Sequence, residues 1–139
     1  MIVLDTNVLS ELLRPKPDNN VMAWIAQQPR TALFTTTITR GEIGYGVQLL
    51  SAGRRRQALK TAIGAIFNED LAGQILSFDS DSADLYAEIA ASRKRSGKPI
   101  SQFDAMIAAV TRSRGACLAT RNVKDFGDCG IELINPWKV

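Results

Sequence analysis

Five short apolar runs alternate with helix-patterned stretches along this chain, and that alternation limits its architecture more than any other feature. Residues 1–5, 32–36, 74–78, 116–120 and 131–134 are rich in apolar and β-branched residues, which suit a pleated, half-buried backbone. The stretches between them carry apolar residues at i, i+3 and i+4, the spacing of one helix face. Strands separated by helices pair in parallel, because a parallel connection needs a crossover of a dozen or more residues. Right-handed crossovers then cover both faces of the sheet. The expected fold is α/β: a three-layer α/β/α sandwich around a central, mostly parallel, five-stranded sheet. The 139 residues contain no internal repeat and no low-complexity linker, so residues 1–139 are read as one domain.

Residue chemistry marks the expected helix ends. The first helix is expected over about 7–13, stopping before Pro15 and Pro17. Asp18-Asn19-Asn20 offers a cap for a helix presenting Val21, Trp24 and Ile25, which Pro29 closes. Thr37 or Thr39 is the expected cap of a helix presenting Ile43, Val47 and Leu50. That helix holds Gly41, Gly44 and Gly46, each costing up to ~1 kcal/mol relative to Ala. Such a cost implies close approach by another backbone or by a partner. After Gly53, Arg54-Arg55-Arg56 opens a helix with Leu59, Ile63, Ile66 and Phe67. A longer helix follows Asp79 to Asp81 and runs to Arg95, where Ser96-Gly97 and Pro99 break it. Phe103, Met106, Ile107 and Val110 give the cleanest helical period, and Gly115 ends it.

The chain has no histidine. That excludes Ser-His-Asp and Cys-His nucleophilic sites and any His-ligated zinc centre. It also removes the usual acid–base residue near neutral pH. An enzyme built from this sequence must work with carboxylates, amides, hydroxyls, Lys and Arg. Cys117 and Cys129 form no metal-ligand spacing, and a reduced compartment suits both. No apolar stretch approaches the ~18 residues of a membrane span, and Asp5 interrupts the first apolar run. A cytoplasmic protein without membrane contact is expected. Lys and Arg outnumber Asp and Glu 17 to 14, a balance of +3 that suits a polyanion partner without requiring one.

Ligands of open α/β sheets bind beyond the carboxyl ends of the strands. Four polar groups are expected at that edge. Asp5 ends the first strand, where it either caps the next helix or holds a hard cation; in the second case capping passes to Thr6 or Asn7. Glu42 is placed in the first turn after the second strand. Asp104 lies in the first turn of the Phe103–Val110 helix, one residue off its apolar stripe. Thr120-Arg121-Asn122 ends the fourth strand. Helix N-termini favour acids, so three separate helix-terminal acids remain an alternative to one shared site. Packed together without a cation, the three carboxylates would raise one another's pKa.

These motifs resemble those of PIN-domain proteins, most of all the VapC-type toxins of bacterial toxin–antitoxin pairs in the FitB-like subgroup. The resemblance rests on residues 1–12 (MIVLDTNVLSEL), on Thr39 to Gly46, on Gly97 to Ala109, on Ala119 to Phe126 and on Asn135-Pro136-Trp137, in that order along the chain. It implies a metal-dependent endoribonuclease whose metal ligands are Asp5, Glu42 and Asp104, with Mg²⁺ as the cofactor and Mn²⁺ as a substitute. The fourth family position, often Asp, falls on Asn122, which supplies an oxygen but no charge. Asp125 could supply the missing charge or be a simple loop acid. Thr120 could orient a ligand or water, or be an ordinary strand-end threonine.

The resemblance further implies an RNA substrate, a homodimer and a cognate antitoxin protein, with DNA reached only through the antitoxin. Metal-activated water attacking phosphorus would leave 5′-phosphate and 3′-hydroxyl ends. Arg54-Arg55-Arg56, and Arg93-Lys94-Arg95 with Lys98, are candidates for phosphate contacts or else solvated helix faces. Arg121 could touch the scissile phosphate or pair with an acid. Two other readings compete. A PIN-fold binding module would keep the fold without the activity. A haloacid-dehalogenase-like phosphatase also starts from an Asp after strand one, but needs a second Asp where this chain has Asn7.

Overall fold

In a computed structural model describing residues 1–139, five strands form one sheet, every pair parallel, in the order β3-β2-β1-β4-β5. The strands are β1 (Ile2–Leu4), β2 (Leu33–Thr36), β3 (Ile75–Leu76), β4 (Cys117–Ala119) and β5 (Glu132–Ile134). Six helices connect them: α1 (Thr6–Leu12), α2 (Asn19–Ala26), α3 (Thr37–Gln48), α4 (Arg54–Ala65), α5 (Ser80–Arg95) and α6 (Gln102–Ser113). No helix is long and apolar enough to cross a membrane.

Successive strand residues point to opposite faces, and the core divides accordingly. Val3 of β1 and Leu118 of β4 join Ile89, Ile107 and Val110 beneath α5 and α6. Their chain neighbours Leu4 and Ala119 join Val8, Leu9, Val21 and Trp24 beneath α1 and α2. This is the expected three-layer sandwich. The apolar stripe of α6 is its spine: Ile107, Ala108, Ala109 and Val110 have no exposed surface. Fully burying an Ile or Val contributes about 1.5–3 kcal/mol. Gly97 and Gly115 close α5 and α6 with φ of 74° and 62°, the left-handed conformation glycine adopts without cost.

Several local expectations change. Thr36, not Thr37 or Thr39, caps α3: its hydroxyl accepts the Thr39 N–H at 3.1 Å. The helix starts at Thr37, so Glu42 stands in its second turn rather than its first. The expected strand 74–78 pairs only over Ile75–Leu76. After α4 the chain widens into a single π-turn, Ile66–Asp70, which turns Phe67 inward. A methyl group added at Gly41, Gly44 or Gly46 would meet no atom within 4 Å. Packing inside the domain therefore does not account for these three glycines.

Candidate active site

Leu4 of β1 is in register with Ala119 of β4, so the residues that follow, Asp5 and Thr120, emerge side by side at the carboxyl edge of the sheet. The Asp5 N–H continues the ladder, donating to the Ala119 carbonyl at 3.0 Å. Asp5 fills both roles open to it. Its Oδ1 accepts the Thr6 N–H at 2.8 Å and caps α1; its Oδ2 accepts the Thr120 hydroxyl at 2.7 Å.

Thr6 and Asn7 are not caps. The Thr6 hydroxyl donates to Glu42 Oε1 at 2.8 Å and lies 3.0 Å from the Thr39 hydroxyl. This bond ties the start of α1 to the middle of α3 and orients the Glu42 carboxylate. The Asn7 amide donates to Thr120 Oγ1 at 3.2 Å, and its carbonyl oxygen accepts the Arg121 N–H at 3.3 Å. An Asn so engaged replaces the second Asp of a dehalogenase-type phosphatase, and that alternative lapses. Thr120 is fully buried and is the hub of the site: it donates to Asp5 and accepts from Asn7 and from the Asn122 N–H at 3.0 Å.

Asp104 sits in the first turn of α6, as expected. Its N–H is held by the Ser101 hydroxyl at 3.2 Å, which fixes the entry of α6. Asp5, Glu42, Asp104 and Asn122 line one open cleft of ≈ 460 Å³, together with Arg14 and Arg121. Asp125 does not line this cleft; it lines a neighbouring one, though its charge still reaches Asp104. Arg93 is no phosphate contact. It is 6 % exposed, and its guanidinium donates to the carbonyls of Lys98 (2.6 Å), Asp125 (2.9 Å) and Gly127 (2.9 Å). It thereby pins the loop that carries Asn122 to α5. Lys94, Arg95 and Lys98 remain on the surface.

The electrostatics mark these acids off from the others. Burial pushes the Asp5 carboxyl up to about 6, and the charges of Asp104 and Glu42 add to that; the bonds from Thr120 and Thr6 oppose it. Glu42 and Asp104 are raised in the same direction, again mainly by burial; Asp104 adds to the rise at Glu42 and Asp125 to that at Asp104. Three carboxylates that resist ionising, in a cleft open to water, form a site whose repulsion a bound cation would relieve.

The donor set is entirely hard oxygen. No three acidic or cysteine side chains close up into a cage that could wrap an ion unaided. Mg²⁺ does not need one: it keeps several waters and takes one or two carboxylates directly. An open carboxylate cleft of this size suits a hydrated divalent cation better than it suits a stripped one. The acids are readable from the sequence by type and position. The Thr6–Glu42 and Asn7–Thr120 bonds are not, and neither is Glu11, which lines the same cleft. Glu11 is buried, accepting the Asp18 N–H at 2.9 Å and pairing with Arg14 at 3.2 Å. Only the Asp-Thr-Asn run after a buried strand hints at the first two.

Comparison with known proteins places the chain in a family. The family model described as PIN domain matches residues 2–128. The chain is 41% identical over 138 residues to the VapC ribonuclease Y4jK of Sinorhizobium fredii, covering 99% of each chain. It is 36% identical over 137 residues to toxin FitB of Neisseria gonorrhoeae, again covering 99% of each. Among solved structures, that of FitAB bound to an IR36 DNA fragment superposes with a TM-score of 0.93 at 36% identity, covering 100% of this chain and 97% of the other.

Proposed function

The chain belongs to the PIN-domain family, and we propose that it is a divalent-metal-dependent endoribonuclease acting as the toxin of a toxin–antitoxin pair. One observation carries the reading: Asp5, Glu42, Asp104 and Asn122, spread over the chain, line a single cleft at the carboxyl edge of the sheet. Likeness to a VapC ribonuclease and to toxin FitB along almost the whole chain supports it.

Asp5, Glu42 and Asp104 would hold the cation, Mg²⁺ or in its place Mn²⁺. When bound, such an ion lowers the pKa of water and offsets phosphate charge. The chain's own groups do the rest. Thr120 and the Thr6 N–H hold Asp5 in its ionised form against the pull of burial. The Thr6 hydroxyl occupies one oxygen of Glu42, leaving the other to orient or deprotonate the attacking water. The exposed side chain of Asn122 positions water or substrate without adding charge. Arg14 and Arg121 at the rim attract the RNA that the carboxylates would repel. Direct attack by water leaves 5′-phosphate and 3′-hydroxyl ends.

A protein partner is supported on the other side of Glu42. There Tyr45 and Phe103, 66% and 54% exposed, flank an apolar cleft with Phe78 and Met106, and Gly41 opens onto it. Exposed aromatic residues around such a cleft suit an antitoxin segment or a second copy of the chain. The residues form one domain acting in the cytoplasm in this reading, and DNA contact belongs to the antitoxin.

The test is cleavage of RNA by the purified chain. Mg²⁺ or Mn²⁺ should support it, EDTA should stop it, and Asp5→Asn should lower the rate by at least about 10³-fold, the loss expected when a metal ligand and a charge go together. Full activity in Asp5→Asn would sink the mechanism. RNA binding without cleavage by the wild type would point to the binding module that Asn122 leaves open.

A further inference from the structure

A second cleft, of ≈ 690 Å³, adjoins the acidic one and shares Arg121, Asn122 and Trp137 with it. Its chemistry is of the opposite kind. Arg121, Lys124 and Lys138 bring three cations to it, against the two carboxylates of Asp18 and Asp125. The Arg121 guanidinium lies over the Trp137 ring, 5.2 Å from its centroid, and makes no ion pair with an acid. The half-buried indole is carried on a rigid support. The Trp137 backbone N–H donates to Asn135 Oδ1 at 3.0 Å, the Trp137 carbonyl accepts the Asn20 amide at 3.1 Å, and Pro136 before it is buried. The apolar cleft on the far side of Glu42 has aromatic residues but no Lys or Arg, so a polyanion has no footing there.

We propose that the Arg121–Trp137 ledge is a nucleotide subsite. One unpaired base of the RNA stacks on this pair, and the phosphates beside the scissile one lie along Arg121, Lys124 and Lys138. The inference rests on the ribonuclease reading above. Stacking platforms combined with cations are how proteins hold single strands, and they do not require a particular base. Bases inside a duplex are not available to such a ledge, so it selects unpaired segments.

The test uses the full chain and a single-stranded RNA dodecamer carrying 2-aminopurine next to the cleaved bond, with the same dodecamer as a duplex for comparison. Trp137→Ala should raise KM for the single strand about 5- to 100-fold, the range for loss of one base–aromatic stack, and leave kcat within about threefold. Trp137→Phe should restore most of that loss. In an Asp5→Asn background, which binds without cutting, 2-aminopurine fluorescence should be quenched on binding, and the quench should vanish with Trp137→Ala. Arg121→Ala should weaken binding and lower the salt slope by about one.

Unchanged KM and quench in Trp137→Ala, with Asp5→Asn still inactive, would overturn the ledge and leave the ribonuclease reading standing. A wild type that cuts no RNA yet quenches in a Trp137-dependent way would support the ledge and remove the nuclease. Unchanged RNA kinetics combined with weaker co-purification of a co-expressed antitoxin would assign the ledge to a protein partner and overturn the inference. Should Trp137→Ala lose its cooperative melt, Trp137→Phe and the Arg121→Ala salt slope decide the matter: no change in either overturns it.

Discussion

A carboxyl group 3 % exposed and facing two other carboxylates holds its proton more firmly than one in water, which is why Asp5 titrates near 6. The Thr120 hydroxyl is the largest force in the other direction. Thr120→Val keeps the shape and removes the donor, and also strands the Asn7 amide and the Asn122 N–H. Hydrogen bonds to charged groups are worth about 1.5–3 kcal/mol, so the Asp5 midpoint should climb by about one unit or more. In the proposed mechanism cleavage requires the ionised form, so at Mg²⁺ concentrations well below saturation the wild-type rate should fall as pH drops through about 6. In Thr120→Val that fall should begin above neutrality, with a roughly 4- to 40-fold loss at pH 6.5 relative to wild type. A pH–rate profile of both proteins checks this; superimposable profiles would show that Thr120 does not tune Asp5.

The three glycines of α3 make a prediction at the scale of the element. Added methyl groups at Gly41, Gly44 and Gly46 meet nothing, and Ala is about 1 kcal/mol better than Gly in a helix interior. Gly44→Ala should therefore stabilise the isolated chain by about 0.5–1 kcal/mol in urea unfolding, and a loss of stability would show that α3 is not free there. Elements with strong local chemistry are legible in the residues themselves. The stripe of α6, the glycine ends of α5 and α6, and four of the five apolar runs stand where their residues imply, while the run at 74–78 shortens to Ile75–Leu76. Boundaries are less so: Thr36, Thr37 and Thr39 can each cap, and only the path of β2 into α3 selects Thr36. The acids of the site are legible because residue type alone suggests their chemistry. The hydroxyl relay is not, because Thr6 and Glu42, or Asn7 and Thr120, meet only through the parallel register. Arg93 misleads for a related reason. A basic run on a helix reads as a solvated face, yet this one side chain turns inward to carbonyl acceptors.

For the molecule as a whole, the acidic cleft is a cost carried for function. The folded pKa of Asp5 lies above its ordinary 3.8, so between about 4 and 6 the native state binds more protons than the unfolded chain. Stability should rise as pH falls through that window, and above about 6 the ionised group costs on the order of 3 kcal/mol at 1.36 kcal/mol per unit. Glu42 and Asp104 act in the same direction. A cation that neutralises the cleft should offset this cost, so Mg²⁺ should raise Tm at pH 7.5 and have little effect at pH 4.5, where protons already do so. Equal shifts at both pH values in thermal melts would place the ion elsewhere. The sheet order has a consequence during synthesis. β1 is translated first, but one of its two neighbours is β4, built from residues 117–119. A nascent or truncated chain ending before Cys117 contains Asp5, Glu42 and Asp104 but has no Thr120 to hold Asp5 and no β4 beside β1. The cleft therefore closes only after residues 117–120 have been made, and a chain cut before Cys117 should cleave no RNA.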